Sequence, residues 1–163
     1  MDALAFGPFR QLHPRIVAHT FAYICIYHSV TCYLQISGTE EATLARMLFH
    51  CTHGVDDPER AIVPFIAANV AAASGQEAVV LLTIEGAWLC KRGYAETVAA
   101  DGFPDLAELV TSFADAGGQI WGCSACTTPR GITEPDLIPG SQIVGAATIV
   151  AAVADGAIPV ALG

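Results

Sequence analysis

EAVVLLT, at residues 77–83, is the stretch that decides the fold of this chain. Its centre is five consecutive apolar residues, which predicts a short strand buried on both faces, as in a parallel sheet covered by helices on two sides. Similar short apolar runs at residues 47–51, 119–122 and 158–162 predict further strands. These runs place the core of the domain in a sheet.

Helical patterns alternate with these strands. Asp57 is expected to cap a helix that starts at Pro58 and ends at Gly75, and residues 106–113 and 146–154 have helical apolar spacing. The segment 88–100 is also predicted to be helical, with an interruption at Gly93. This alternation predicts a three-layer α/β/α sandwich with a mainly parallel sheet of about five strands.

Composition limits the classes of partner. The net charge is −9, so an acidic surface should repel phosphate backbones, and direct binding of nucleic acid is not expected. Only 14% of the residues are charged while 53% are hydrophobic, which favours a homo-oligomer whose contacts cover apolar surface. Neither a dinucleotide-binding glycine pattern nor a Walker motif is present, so no cofactor is predicted.

The first 46 residues differ from the rest of the chain. Residues 16–36 form a nearly uncharged run, which has some features of a targeting or membrane segment. The polar residues within the run and the lack of a small-residue cleavage site speak against that interpretation. We therefore predict that residues 1–46 are a non-native or disordered extension, that residues 47–163 form the domain, and that the protein does not enter a membrane.

Two cysteines follow the strand at residues 119–122. Cys123 and Cys126 are three residues apart, a spacing that allows a disulfide, a soft-metal site, or attack by one thiolate and resolution by the other. The loops at residues 51–57, 83–88 and 123–131 should lie along one edge of a parallel sheet, where ligands usually bind. This edge is the predicted functional site.

Four sequence blocks resemble the DsrE/DsrF-like family of small sulfur-trafficking proteins across residues 47–163. They are HGVDDPERA at 53–61, LLTIEG at 81–86, CSACTTPRGI at 123–132 and IVGAA at 143–147. The resemblance implies an α/β fold, assembly into trimers or hexamers, and transfer of sulfane sulfur as a cysteine persulfide. In the members that serve sulfur relays, the sulfur-carrying cysteine stands seven residues before the arginine of an Arg-Gly pair, and here Cys123 stands seven residues before Arg130.

The resemblance implies that Cys123 carries the sulfur, and the chemistry of a persulfide gives an expected role to each of the other candidate residues. Cys123 would carry the sulfur, Arg130 and nearby backbone N–H groups would stabilise its thiolate, and Cys126 would resolve or tune the persulfide. His53 would donate or accept a proton close to Cys123, and Glu85 could assist, although both could also be solvent-facing loop residues. The protein would act in the cytoplasm with sulfur donor and acceptor proteins, as a carrier or a sulfurtransferase.

Two other functional classes remain open. The chain could be a non-enzymatic oligomeric interaction module in which Cys123 and Cys126 are small buried apolar residues. It could instead bind a metal through Cys123, Cys126, His53 and either Cys51 or His50. The metal interpretation is disfavoured because zinc sites usually show two spaced ligand pairs, and because neighbouring residues of a strand point to opposite faces.

Overall fold

The structure is a computed structural model that describes residues 44–162. Its strands are β1 (Arg46–Cys51), β2 (Glu77–Leu82), β3 (Gln119–Cys123), β4 (Ser141–Val144) and β5 (Ile158–Ala161). Its α-helices are α1 (Pro58–Ala73), α2 (Leu106–Asp115), α3 (Ser124–Thr127) and α4 (Ala146–Ala154). Short 3-10 helices cover Ile84–Cys90, Ala95–Thr97, Thr128–Arg130 and Glu134–Asp136.

The strands form one five-stranded, fully parallel sheet in the order β4-β3-β2-β1-β5. The steps from β1 to β4 move in one direction across the sheet, and the step to β5 returns past β1. Because parallel crossovers are right-handed, this reversal places α4 on the face opposite α1 and α2. The predicted α/β sandwich with a parallel sheet is confirmed.

Two apolar layers cover the faces of the sheet. The larger core packs α1 and α2 against β1, β2 and β3, with the Phe65 and Phe113 rings in an edge-to-face contact at 6.2 Å between centroids. The smaller core lies beneath α4 and includes Leu81 and Trp121. Strand β2 contributes to both cores, as its continuous apolar run predicts.

Helix α1 begins as the sequence predicts. The Asp57 side chain accepts a hydrogen bond from the Arg60 backbone N–H at 3.2 Å, and Pro58 occupies the first turn. Helix α1 ends at Ala73, so its C-terminus lies two residues before the expected terminator, Gly75. These features fix the direction in which the chain leaves the loop after β1.

Two expectations about local structure were incomplete or wrong. Strand β4 was not predicted individually, because its sequence, SQIV, is short and half polar. Its extended conformation depends on parallel pairing with β3. The predicted helix at residues 88–100 is replaced by two short 3-10 helices, Ile84–Cys90 and Ala95–Thr97. Here tertiary packing outweighs helix propensity, since Leu89, Cys90 and Ala95 are buried in the larger core.

The expectations for residues 1–43 lie outside the described residues. Between residues 44 and 162, no helix is long and apolar enough to cross a membrane. The first strand begins at Arg46, one residue before the expected start of the domain.

Gly118 provides a test of the core between α2 and β3. A Cβ at this buried position would overlap the Phe113 ring, and the Gly118 N–H is bonded to the Phe113 carbonyl at 2.9 Å. We expect Gly118→Ala to lower the free energy of unfolding by about 1–3 kcal/mol through overpacking. Gly145→Ala, at an ordinary backbone angle with open space around it, should change it by less than about 1 kcal/mol. Chemical denaturation measures both variants, and equal effects would contradict this packing.

Candidate functional site

Three loops meet at the carboxyl edge of the sheet, after β1, β2 and β3. The first two are held together at Gly86, whose N–H donates to the Thr52 carbonyl at 3.0 Å. A Cβ on Gly86 would lie 2.7 Å from the Cys51 carbonyl oxygen, so only glycine allows this approach. The close contact sets the position of the neighbouring residues Ile84 and Glu85.

The two cysteines predicted for the site leave β3 at this edge. Cys123 is the last residue of β3, and Cys126 lies in α3. Both are free thiols that are partly exposed to solvent. Their side chains are therefore accessible to a reagent or to a partner, as a reactive site requires.

The sulfur of Cys126 accepts a hydrogen bond from the loop after β2. The Ile84 backbone N–H donates to Cys126 Sγ at 3.1 Å. Ile84 has a φ of 53°, which is unusual for a β-branched residue, and its side chain is 59% exposed. Such a left-handed conformation is costly, so the fold holds this amide in place against local strain.

Arg130 connects the loops after β2 and β3. Its Nη1 donates to the Cys126 carbonyl at 3.0 Å, and its Nη2 lies 3.3 Å from Glu85 Oε2. Both side chains of the ion pair are more than two-thirds buried. The guanidinium thus holds the backbone of the Cys126 turn, and Glu85 belongs to the same network.

Tyr94 joins this network from the segment between the two 3-10 helices. Its hydroxyl donates to Glu85 Oε1 at 3.4 Å and accepts from the Val55 N–H at 3.4 Å. Burial, together with the nearby carboxylates, raises the pKa of Tyr94, so the hydroxyl stays a donor at neutral pH. Its ring stacks on Trp88 with 5.8 Å between centroids. Tyr94 was not among the predicted site residues, because residues 88–100 were expected to form a helix, whereas two short 3-10 helices bring its hydroxyl to Glu85.

The two histidines at the end of β1 have different partners. His53 Nδ1 lies 2.8 Å from Asp56 Oδ2 in the loop after the strand. Burial alone would raise the pKa of Asp56, but hydrogen bonds from the Gly54 N–H and the His53 ring outweigh it and hold this pKa below its ordinary value. His50 is exposed on the strand itself, and its Nε2 lies 2.8 Å from Thr83 Oγ1.

The other two cysteines of the described residues are buried in the larger core. Burial raises the pKa of Cys51 to about 12 and that of Cys90 to about 11. Their thiols donate to the backbone carbonyls of His53 and Ala87 respectively. Both remain protonated at neutral pH, so they are poor nucleophiles.

The residues proposed for a metal site do not converge. Cys51 is buried, whereas its neighbour His50 is exposed, as expected for adjacent residues in a strand. Within residues 44–162, no group of three or more His, Cys, Asp and Glu side chains is placed to hold a metal ion.

A comparison with protein families gives one match over most of the described chain. The model of the DsrE/DsrF-like family matches residues 45–158. An uncharacterized protein of Methanocaldococcus jannaschii is 33% identical over 97 residues, which are 60% of this chain and 35% of the relative. An uncharacterized protein of Methanopyrus kandleri is 29% identical over 85 residues, which are 52% of this chain and 67% of the relative. This chain thus spans less than half the length of the first relative.

Solved structures with the same fold are more distant in sequence. The ychN protein of E. coli superimposes with a TM-score of 0.62 at 13% identity, covering 72% of this chain and 99% of that protein. A protein of unknown function from Methanobacterium thermoautotrophicum gives a TM-score of 0.58 at 19% identity, with the same coverage of both chains. These similarities support the fold derived from the strand order.

The strain at Ile84 can be measured. We expect Ile84→Gly to raise the free energy of unfolding by about 0.5–1 kcal/mol, because glycine adopts the left-handed conformation without steric cost. Ile84→Val keeps the branched Cβ and should stay within about 0.5 kcal/mol of the parent protein. Both values come from urea denaturation of the full chain. A marked loss of stability in the glycine variant would mean that the exposed side chain, rather than the backbone, matters here.

Proposed function

Since this chain belongs to the DsrE/DsrF-like family, we propose that it takes part in sulfur transfer and carries sulfane sulfur as a persulfide on Cys123. The observation that carries the proposal is the position of this thiol. Cys123 ends β3 at the carboxyl edge of the sheet, is partly exposed, and precedes Arg130 by seven residues. This is the place where ligands meet parallel α/β sheets.

The loading step needs only a thiolate and a sulfane-sulfur donor. The Cys123 thiolate attacks the outer sulfur of a donor persulfide, a new S–S bond forms, and the S–S bond of the donor breaks. The donor cysteine leaves as a thiolate and takes up a proton. No electrons are exchanged with a third molecule, so the step requires no redox cofactor.

Cys126 gives the loaded site a second reaction. Its thiolate attacks the inner sulfur of the Cys123 persulfide, which releases hydrosulfide and leaves a Cys123–Cys126 disulfide that a dithiol reductant reopens. The hydrogen bond from the Ile84 N–H supports this role, because N–H donors bond more strongly to an anionic sulfur than to a neutral one. Arg130 holds the turn that carries Cys126, and its contact with Glu85 limits its movement.

His53 remains a proposed proton donor or acceptor at the same edge. Its ring is oriented by Asp56, a carboxylate that stays ionised at neutral pH. This contact at Nδ1 leaves Nε2 as the ring nitrogen that would exchange a proton. The donor and acceptor of the sulfur would be proteins whose surfaces are not repelled by the acidic charge of this chain. The compartment would be the cytoplasm, which keeps thiols reduced.

Helix α4 supports the proposal of a homo-oligomer. All nine of its residues are uncharged, and Val150 and Val153 are 67% and 41% exposed. Ile158, on the neighbouring edge strand β5, is 49% exposed. An apolar helix that covers only one small core has a second face suited to another copy of the chain. We expect a trimer or a hexamer.

Sulfur loading tests the carrier function directly. We expect the reduced full chain, incubated with inorganic polysulfide without added thiol, to gain sulfur on the peptide containing Cys123. Cys123→Ser should abolish this gain, because the serine hydroxyl is not ionised at neutral pH. Cys90→Ser is the matched control, since the Cys90 thiol is buried and protonated. Mass spectrometry of the intact protein counts the added sulfur atoms. Mass spectrometry of its peptides shows which cysteines carry them and also monitors Cys25 and Cys32.

Loading at Cys123 that the Cys123→Ser variant loses would support the carrier function. A chain that takes up no sulfur at Cys123, and whose Cys123 resists alkylation while folded, would instead be the oligomeric interaction module with structural cysteines.

The oligomer has a separate test. Val150→Lys places a charge on the exposed face of α4, and burying an unpaired charge in a contact is costly, so the assembly should dissociate. Val70→Lys is the matched control, because Val70 is 63% exposed on α1, on the other face of the sheet. Sedimentation velocity measures both masses. If both variants keep the mass of the parent protein, α4 is not the contact.

A further inference from the structure

His50 and Thr83 form a hydrogen-bonded pair next to the proposed sulfur site. His50 lies on β1 with its side chain exposed, and its Nε2 is 2.8 Å from the hydroxyl oxygen of Thr83. Thr83 directly follows β2, so the pair crosses from one strand to the next. The network of Glu85, Tyr94 and Arg130 does not include either residue.

The strand register places Thr83 beside Cys123. Leu82 pairs with Gly122, so the residues that follow each of them occupy neighbouring positions. Both Thr83 and Cys123 have extended backbone angles. The Thr83 N–H donates to the Cys51 carbonyl at 3.0 Å, so the hydrogen-bond ladder between β2 and β1 continues through Thr83. Because side chains alternate along extended strands, both side chains project from the same face, on strands about 4.8 Å apart.

His50 lies on this face as well. Its pair partner in β2 is Leu81, which belongs to the core beneath α4 and lies two residues before Thr83. Cys51, the next residue, is buried on the other face. The order along the edge is therefore His50 on β1, Thr83 after β2, and Cys123 at the end of β3.

We propose that Thr83 and His50 accept the proton of the Cys123 thiol. The thiol proton passes to the hydroxyl oxygen of Thr83 while the hydroxyl proton passes to Nε2 of His50. The products are a Cys123 thiolate and a His50 imidazolium. The S–H bond of Cys123 breaks, an N–H bond forms on His50, and the Thr83 oxygen exchanges one proton for another. No atom is oxidised or reduced. The Cys123 thiol makes no hydrogen bond to Thr83 in the described structure, so the proton transfer requires a rotation of the Cys123 side chain toward the Thr83 hydroxyl.

Among residues 44–162, few other charged groups lie near this pair. On the same face, Arg46 and Glu77 are paired with each other at 2.7 Å, and Arg46 lies about 13 Å along the strand from His50. Asp155 follows α4, whereas α4 and β5 themselves carry no charged side chain. In the loop after β1, Asp56 binds the His53 ring. Arg46, Glu77 and Asp56 are therefore paired with side chains other than His50.

This inference deepens the proposed function, yet its test does not depend on sulfur loading. The measurement is the rate at which iodoacetamide alkylates Cys123 in the full chain between about pH 5 and pH 9, resolved by peptide mass spectrometry. We expect Thr83→Val and His50→Gln each to slow the reaction at neutral pH by at least about tenfold and to change the shape of its pH profile. The double variant should be no slower than either single variant, because both remove one relay.

Matched variants separate the relay from a structural effect. Thr83→Ser keeps the hydroxyl and should restore the parent rate, while Thr111→Val removes an exposed hydroxyl on α2 and should change nothing. Alkylation of Cys126 in the same samples reports on the general exposure of the site. Equal rates and pH profiles for Cys123 in the parent, Thr83→Val and His50→Gln proteins would overturn the relay.

The two proposals can fail separately. If Cys123 takes up sulfur but its alkylation rate does not depend on His50 and Thr83, the carrier function is supported and the relay is wrong. If alkylation depends on both residues but Cys123 takes up no sulfur, the relay stands and the thiol serves another reaction.

Discussion

The parallel pairing of β2 with both β1 and β3 is the constraint on which the rest of the molecule depends. Leu81 pairs with His50 on one side and with Trp121 on the other, so the three strands end at one level. The residues after each strand then share an edge, although they are far apart in sequence. The burial of β2 on both faces makes this register costly to change, because a slip by one residue would turn every side chain to the opposite face.

Elements that carry their own signal in the sequence could be predicted. The apolar run of β2 indicates burial on both faces, and the cysteines after β3 follow a strand whose end must lie at the ligand-binding edge. Features that depend on tertiary contacts could not be predicted. Strand β4 exists through its pairing with β3, and the left-handed Ile84 is set by the approach of Gly86 to β1. His50 was set aside with Cys51, since only the register shows that it lies beside Thr83.

The ion pair between Arg130 and Glu85 weakens the positive field that the guanidinium presents to the sulfur atoms. A free guanidinium would supply a full positive charge to a nearby thiolate, but a carboxylate at 3.3 Å offsets much of that field. The same guanidinium is also engaged by the Cys126 carbonyl. Arg130 therefore acts chiefly by fixing the shape of the turn, and neutral donors such as the Ile84 N–H become more important for the sulfur atoms.

Two pairs of cysteines show how position, rather than residue type, selects a reactive thiol. Cys51 and Cys90 lie in the larger core, where burial disfavours the thiolate and raises each pKa. Cys123 stands at the same edge of the sheet as Cys51 but on the opposite face, where solvent and polar side chains are available. The alternation of side chains along neighbouring strands is enough to separate these environments. A reactive thiol and an inert one can therefore lie close together, because the sheet itself insulates one from the other.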